Sequence, residues 1–267
     1  MGTVARHDIP ITPSMVNLAL TAVGLSRGDV VLAHASVSSL GWVMGHAATL
    51  VRSVLDVIGP EGTLMAPAFT SDLTEPSHWS EPPVPEEWWP LIREEMPAFD
   101  PATTPSWGVG RFPETVRNWP GARRSNHPRD SFAAIGPDAG KLLDSQTLEE
   151  GFGEGSPLAQ LCECNGRVLF IGSHWNTSTI FHHAEHSTGL LGSAEQGSPT
   201  MIDGRRKWVI WREHTYNADD FAACGEAFEA TGAVRSVTLG AGRIRCFGAR
   251  EAVSFATDWL RDNRNSQ

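Results

Sequence analysis

The sequence lacks the features of membrane and secreted proteins. None of its apolar runs approaches the roughly 20 residues that a membrane-spanning helix requires. The first residues, MGTVARHDIPITPS, contain no apolar signal-peptide core. Arg6 occupies the position where a myristoylation motif has Ser or Thr. We therefore expect a soluble, cytoplasmic protein.

Cysteine is sparse as well. The four cysteines form no C-x-x-C pair and no even framework; they are Cys162, Cys164, Cys224 and Cys246. This pattern suits a reducing compartment better than a disulfide-linked secreted domain.

Two further absences concern ligands. The chain has neither a Walker loop nor a G-x-G-x-x-G segment, which disfavours nucleotide hydrolysis and a Rossmann dinucleotide site. Positive charge is in deficit, because the net charge is -10. Such acidity disfavours non-specific binding to nucleic acid and is compatible with a cationic ligand.

Hydrophobic periodicity predicts an α/β fold. Residues 12–24 and 47–58 have helical spacing, and the apolar runs 29–33 and 63–68 predict buried strands. A strand, a loop, a helix and a second strand form a βαβ unit, so part of the sheet is parallel. Later segments predict strands at 131–135, 168–172 and 207–212 (an edge strand), a hairpin of 234–239 and 242–247, and helices at 109–119, 137–143, 156–166, 221–231 and 249–264. We expect one domain over residues 1–267, with a central mixed, partly parallel sheet flanked by helices.

Residues 70–107 have a different texture. They are rich in Pro, Trp and acidic residues, and Pro90 is expected to interrupt any helix over residues 86–96. Long insertions at the carboxyl end of a strand usually serve binding or act as a lid. We expect a substrate-side insertion.

A loop of small residues, HASVSSLG, follows the first strand. Its hydroxyl and backbone N–H groups suit a phosphate or a thioester chain next to a positive helix end. A plain turn explains the loop equally well, and His34 is equally compatible with a satisfied core histidine.

A helix expected to begin near Asn176 or Thr177 carries the crowded segment HHAEH, residues 182–186. One interpretation is acid/base catalysis by a histidine that a carboxylate orients, with Glu213 as the first candidate carboxylate and Glu185 as the second. The other is an H-x-x-E-H zinc site, in which His182 and His186 are ligands, Glu185 is the base, and Glu213 or Glu226 is the third ligand. The short pattern leaves both open.

Acidic residues in the loops predict a cleft for a cationic substrate. Asp72, Glu75, Asp100 and Asp203 lie in loop segments, near several tryptophans. Carboxylates and aromatic faces together bind a polyamine or an amino sugar through charge and cation–π contacts.

Five blocks of the chain resemble successive blocks of the aminoglycoside 3-N-acetyltransferases. They are GDVVLAHASVSSLG (28–41), GPEGTLMAPAFT (59–70), FDPATTPSWGVGRFPETVRNWPGARRSNHPRDSFAAIGP (99–137), GSPLAQL (155–161) and RVLFIGSHWNTSTIFHHAEH (167–186). The match runs from about residue 12 to 190, with a weaker continuation. Several ordered blocks at matching spacing are far more specific than any single motif.

The resemblance implies an enzyme that transfers an acetyl group from acetyl-CoA to the 3-amino group of the 2-deoxystreptamine ring of aminoglycosides, which confers antibiotic resistance. It implies a fold peculiar to this family, no metal, and a monomer or homodimer. His182 is the implied general base and Glu213 the carboxylate that orients it. The implied CoA site comprises His34, Ala35, Ser36, Val37, Ser38, Ser39, Gly108 and Val109, with Arg124 and His127 nearby. The expected substrate-binding residues are Asp72, Glu75, Asp100, Trp175 and Glu185.

Two residues depart from the family pattern. Trp175 stands where many relatives have Asp, and Phe181 replaces the Leu that precedes the catalytic His. The departure at Trp175 bears on substrate preference. The alternatives to the implied function are an acetyltransferase acting on a non-antibiotic amine, the zinc metallohydrolase, and a non-catalytic module that binds amino sugars.

Overall fold

A seven-stranded mixed sheet forms the centre of the molecule, a computed structural model that describes residues 9–264. The strands of the described residues, including β6 and β7, which lie outside this sheet, are β1 (Val30–Ala35), β2 (Thr63–Pro67), β3 (Arg123–Arg124), β4 (Phe132–Ile135), β5 (Arg167–Ile171), β6 (Ser193–Ile202), β7 (Arg205–His214), β8 (Arg235–Leu239) and β9 (Gly242–Gly248). The order in the central sheet is β3-β4-β2-β1-β5-β9-β8. Strand β1 pairs in parallel with β2 and β5, whereas the other pairs are antiparallel. This confirms the predicted mixed, partly parallel sheet.

Side chains cap the start of two of the α-helices in the described residues. The α-helices of this part of the chain are α1 (Pro13–Ala22), α2 (His46–Ile58), α3 (Trp89–Glu95), α4 (Arg111–Arg117), α5 (Ala139–Leu143), α6 (Pro157–Glu163), α7 (Ile180–Thr188), α8 (Phe221–Ala230) and α9 (Ala249–Arg264). The side chains of Thr12 and Ser156 accept the first free N–H groups of α1 and α6, each at 3.3 Å. Proline follows each cap, where no N–H is needed. Among residues 9–264, no helix has the length and apolarity to cross a membrane.

The core lies in two layers, one on each face of the sheet. In β1, Val31 and Ala33 pack on the layer that contains α1, α2 and α4, while Val30 and Leu32 pack on the layer that contains α5 to α9. Each buried branched side chain stabilises the fold by roughly 1.5–3 kcal/mol. By the same alternation His34 faces the second layer, where its ring meets Phe170 edge-on at 5.4 Å.

The three parallel strands end at the same edge of the sheet. Strand β1 ends at Ala35, β2 at Pro67 and β5 at Ile171. Ligands of open α/β sheets bind in the crevice outside the carboxyl ends of such strands. The fold therefore points to this edge as the place for a site.

A two-stranded ribbon departs from the prediction. Residues 207–212 belong to β7, which pairs with β6 outside the central sheet rather than at its edge. Strand β6 was not predicted, because Gly197 and Pro199 weaken its pattern. Pairing with β7 overrides that local preference.

The segment 70–107 packs on this ribbon. Arg206 donates to the carbonyl oxygens of Met96 at 2.8 Å and Arg93 at 2.5 Å, and the N–H of Phe99 donates to Pro199 at 2.8 Å. The expected interruption at Pro90 is wrong, because this proline lies in the first turn of α3, where a missing N–H costs nothing.

Candidate active site

A cleft of about 440 Å³ lies at the carboxyl ends of β1, β2 and β5. Its walls come from these strand ends, from the turn before α4, and from the connection between β5 and α7. The lining residues are His34, Ala35, Ser36, Pro67, Phe69, Gly108, Val109, Pro113, Ser173, His174, Asn176, Thr177, Thr179 and His182.

Gly172 brings two of these walls together. Its backbone has a φ of +71°, and a Cβ at this position would lie 2.2 Å from Ser39 Oγ. The hydroxyl of Ser39 lies 2.7 Å from the carbonyl oxygen of Gly172 and 2.8 Å from that of Ser36. The loop after β1 is thereby held against the end of β5, from which the chain passes through a 3₁₀ turn into α7.

His182 lies in the first turn of α7 and is oriented by Glu185. Its Nδ1 is 2.5 Å from Glu185 Oε2, three residues along the same helix. An ionised carboxylate only accepts hydrogen bonds, so Nδ1 carries the hydrogen and Nε2 keeps a lone pair. Among residues 9–264, Nε2 has no hydrogen-bond partner, and the side chain is 20% exposed. An imidazole held in this way can accept a proton at Nε2.

Aromatic rings enclose the imidazole. Phe152 stacks on it at 5.0 Å between ring centroids, Tyr216 meets it edge-on at 5.4 Å, and Phe221 lies at 4.9 Å. Because these rings cover its faces, the imidazole has little freedom to rotate away from Glu185.

Glu185 is completely buried. Its second oxygen, Oε1, accepts the N–H of Asn217 at 3.0 Å and a guanidinium N–H of Arg264 at 2.6 Å. The expected contact between Glu185 and substrate is therefore wrong, since no face of this carboxylate reaches the cleft. Glu185 contacts His182 from the protein interior.

Glu213 is not the partner of His182. Its Oε2 accepts from Arg129 at 3.1 Å and from the indole N–H of Trp211 at 3.3 Å. Burial, and then the nearby Asp130 carboxylate, raise the pKa of Glu213 to about 8. The ribbon strand β7 directs this side chain to the 127–130 turn, so the predicted pairing with His182 is absent.

The group around Glu213 resembles a metal-ligand set but has other partners. Ligand atoms of His127, Asp130 and Glu213 lie within 4.8 Å of one another. His127 Nδ1 accepts the N–H of Asp130 at 2.8 Å, and its Nε2 lies 3.2 Å from the Leu148 carbonyl oxygen. Both ring nitrogens are thus engaged, whereas Asp130 Oδ2 and Glu213 Oε1 are buried without a hydrogen-bond partner among residues 9–264, and Arg129 Nε lies 3.6 Å from Asp130 Oδ2. The free oxygens suit a small cation or an ammonium group.

The zinc hypothesis requires a set of three ligands that includes His182 and His186. Across residues 9–264, no group of three potential ligands includes His182 or His186. His183 Nδ1 lies 3.0 Å from the carbonyl oxygen of Phe152, and burial lowers the pKa of this histidine. His186 packs edge-on against His214 at 5.0 Å. The side chains of His182, His183 and His186 therefore lie in three different environments.

Five of the residues expected at CoA line the cleft together: His34, Ala35, Ser36, Gly108 and Val109. Burial, and then the neighbouring His182, lower the pKa of His34 to about 3, so this imidazole is neutral. Its Nε2 is buried with no partner among the described residues.

The other residues expected near CoA have structural contacts. Val37 and Ser38 lie in a 3₁₀ turn outside the lining, and Ser39 joins two loops. Arg124 donates to the carbonyl oxygens of Ala68 and Thr104 behind the site, so it braces the end of β2.

The acidic loop residues do not meet in one cleft. Glu75 forms an ion pair with Arg93, and Asp100 accepts backbone N–H groups of its own turn. Asp72 lies in a separate surface hollow with Trp107, and Asp203 lies at the turn between β6 and β7. None of the four lines the cleft at His182.

Trp175 belongs to the core rather than to a substrate surface. Its ring stacks on Phe181 at 5.9 Å, its N–H donates to Glu229 at 3.2 Å, and it is 5% exposed. Gly225 of α8 lies directly on it, since a Cβ there would be 2.2 Å from the indole ring. The expected substrate contact is wrong; the flanking residues line the cleft instead.

Sequence reasoning missed several residues of the site. Phe152 and Tyr216 enclose His182, and Pro67 and Phe69 line the cleft. The position of Pro67 and Phe69 at the end of a predicted parallel strand was the available signal. For Phe152 the only hint was an aromatic residue between two glycines.

Known proteins resemble this chain over nearly its full length. A family model described as aminoglycoside 3-N-acetyltransferase matches residues 32–261. The SPbeta prophage-derived aminoglycoside N(3')-acetyltransferase-like protein YokD of Bacillus subtilis is 39% identical over 97% of this chain and 96% of its own. Its crystal structure matches with a TM-score of 0.94, covering 97% of this chain and 96% of that one.

Two further relatives are similar over nearly their full lengths. Aminoglycoside N(3)-acetyltransferase IX of Micromonospora chalcea is 34% identical, over 97% of each chain. A solved structure described as AAC-IIIb binary with CoASH is 31% identical, with a TM-score of 0.84 over 96% of this chain and 98% of that one. The chain belongs to the aminoglycoside 3-N-acetyltransferase family.

Proposed function

We propose that this protein transfers the acetyl group of acetyl-CoA to the 3-amino group of the 2-deoxystreptamine ring of aminoglycosides, with His182 as general base, and thereby confers resistance. One observation carries the proposal. The imidazole of His182 presents a partner-free Nε2 at the cleft, while Glu185 holds its Nδ1 at 2.5 Å.

The chemistry requires a base because alkyl amines are mostly protonated near neutral pH and a protonated amine cannot attack a thioester. The ammonium group first releases one proton to solvent, and the free amine then attacks the thioester carbonyl carbon and forms the C–N bond. Its proton passes to Nε2 of His182, and Glu185 stabilises the imidazolium. The C–S bond then breaks, and the thiolate receives that proton, so the products are an amide and CoA thiol.

The shape of the cleft supports a place for acetyl-CoA. It extends from His182 to the loop after β1 and to the turn at Gly108 and Val109, which suits a slender pantetheine arm. The relative AAC-IIIb has been solved with CoASH. We place the thioester next to His182, with neutral His34 at hydrogen-bonding distance from the arm.

Buried oxygen atoms beside the aromatic rings support a cationic substrate as the acceptor of the acetyl group. Within residues 9–264, Asp130 Oδ2, Glu213 Oε1 and Tyr216 Oη lack hydrogen-bond partners, and Tyr216 touches the ring of His182. An ammonium group donates three hydrogen bonds and, by replacing the proton on Glu213, satisfies such oxygens. Phe152 contacts both His182 and Tyr216, so we expect its loop to move aside when the acceptor binds.

Release of CoA thiol over a panel of amines tests the proposal. We expect turnover with aminoglycosides that carry a free 3-amino group, and a loss of about 10²–10⁴-fold in kcat for His182→Gln. His186→Gln is the matched control, since it lies on the same helix and does not touch Glu185. Near-normal turnover by His182→Gln refutes the catalytic role, and turnover only with simple amines refutes the substrate.

Expression in an aminoglycoside-sensitive host tests the resistance role. The wild-type chain should raise the drug concentration that stops growth, and His182→Gln should not. Equal protection by both contradicts the proposal.

A further inference from the structure

Arg264, the last residue of α9, reaches the back of the His182–Glu185 pair. One guanidinium N–H donates to Glu185 Oε1 at 2.6 Å. The other side of the guanidinium forms a fork with Asp220, at 2.7 and 2.6 Å, and donates to the Asn217 carbonyl oxygen at 2.8 Å. Four hydrogen bonds thus fix the direction of this side chain.

The carboxylate of Glu185 depends on this cation. It is completely buried, and a buried carboxylate is costly unless it is paired and hydrogen-bonded. Oε2 is taken by His182, and Oε1 is held by the Asn217 N–H and by Arg264. Arg264 is the cation that forms an ion pair with Glu185.

Helix α9 also holds α7 at neighbouring points. Arg261 donates to the carbonyl oxygens of Ser187 at 2.6 Å and Thr188 at 3.3 Å, and the Thr257 hydroxyl donates to Ala184 at 3.3 Å. These contacts fix the helix backbone and leave Glu185 untouched. Arg264 differs from them because it acts on the catalytic pair, and it lies beyond residues 32–261, which the family model matches.

We propose that Arg264 is a positioning residue, which shares the negative charge of Glu185 and keeps this carboxylate aimed at Nδ1 of His182, and so leaves Nε2 available as the base. The inference rests on the proposed role of His182. The charged or titratable groups that face the pair are Arg264 with Asp220, His34 from β1, and Tyr216 from the segment before α8. Of these, only Arg264 contacts Glu185 and carries a positive charge.

Loss of the Arg264 charge should shift the pH dependence of the reaction in one direction. Without Arg264, the negative charge of Glu185 has only the imidazolium as counter-ion, so the protonated form of His182 is favoured. The base must be neutral to act. The acid limb of the pH–rate profile should therefore move to higher pH, by about one unit.

Steady-state kinetics of Arg264→Gln tests the proposal. We expect kcat to fall about 10- to 100-fold, because the base is misplaced, while KM for acetyl-CoA changes less than about twofold. Arg264→Lys keeps the charge and should restore the acid limb and most of kcat. Arg261→Gln, on the same helix, is the matched control and should leave both unchanged.

Two more measurements separate positioning from folding and from the proposed function. Asp220→Asn loosens Arg264 without touching Glu185 and should change kcat and the acid limb in the same direction, but less. In an NMR titration, the His182 ring of Arg264→Gln should lose its proton at a higher pH than the ring of the wild type, whether or not turnover occurs.

Folded Arg264→Gln with wild-type kcat and acid limb overturns the positioning role and leaves His182 as base. If the wild-type enzyme shows no acetyl transfer but the NMR titration still shifts, the proposed function fails and the electrostatic coupling stands. If the NMR titration point stays at its wild-type pH, the coupling fails.

Discussion

Replacement of Glu213 by Gln should make the protein more stable at alkaline pH. Burial and the adjacent Asp130 raise the pKa of Glu213 from 4.5 to about 8, although Arg129 at 3.1 Å opposes the shift. Between these two pH values the folded state binds a proton that the unfolded state has released. The stability due to this proton is therefore complete below pH 4.5 and is lost as the pH rises through about 8.

The size of the effect follows from the shift. Each pKa unit corresponds to about 1.4 kcal/mol, so the full shift corresponds to ~5 kcal/mol. Asp130 shares the proton, and we expect a loss of about 3 kcal/mol between pH 5 and pH 8.5. For a chain of this length, this is a fall of roughly 6–10 °C in Tm.

Thermal unfolding of wild type and Glu213→Gln across that range measures it. The neutral amide keeps the shape of the protonated carboxyl group and cannot ionise, so the Tm of the variant should fall less with pH. Glu226→Gln, at an exposed position of α8, should follow the wild type. Parallel curves for wild type and Glu213→Gln refute the claim that Glu213 is protonated, and reopen its interpretation as an ionised carboxylate.

Three further substitutions test other parts of the structure. Glu185→Gln leaves Arg264 without its buried carboxylate. We expect kcat to fall by about 10³–10⁴-fold and the free energy of unfolding to fall by about 3–5 kcal/mol. A kcat within tenfold of wild type contradicts the pairing of Glu185 with His182. His34→Gln should raise KM for acetyl-CoA several-fold and leave the acid limb of the pH–rate profile in place, because His34 titrates only near pH 3; a shifted limb contradicts this. Gly225→Ala forces a Cβ onto the rigid Trp175 ring and should destabilise the protein by about 1–3 kcal/mol in chemical denaturation; an unchanged midpoint disproves close packing there.

Local patterns were sufficient to predict most of the central sheet. The runs that became β1 and β2, and the amphipathic helix between them, carry their signals within a few residues. Strand β6 could not be found in this way, since Gly197 and Pro199 argue against a strand and only pairing with β7 supplies one. Whether residues 207–212 join the main sheet or form a ribbon depends on contacts between distant segments.

The site was predictable only in part. The loop after β1 and the helix that carries HHAEH were each predicted as candidate sites, and the fold brings them together because the parallel strands β1 and β5 end at one edge of the sheet. Glu185, three residues from His182, had the spacing of a partner on one helix face, but the sequence does not show which face of α7 turns toward the cleft. Arg264 acts from 79 residues away, a distance across which no local pattern extends.

The most direct test is a crystal structure of the wild-type chain with CoA and an aminoglycoside. The account predicts the 3-amino nitrogen within about 3.2 Å of His182 Nε2, or one water away, with Nδ1 still on Glu185. The CoA sulfur should lie in the cleft on the same side. A 3-amino group held far from His182, or a carboxylate of another residue in contact with that amine as its only base, contradicts the central claim.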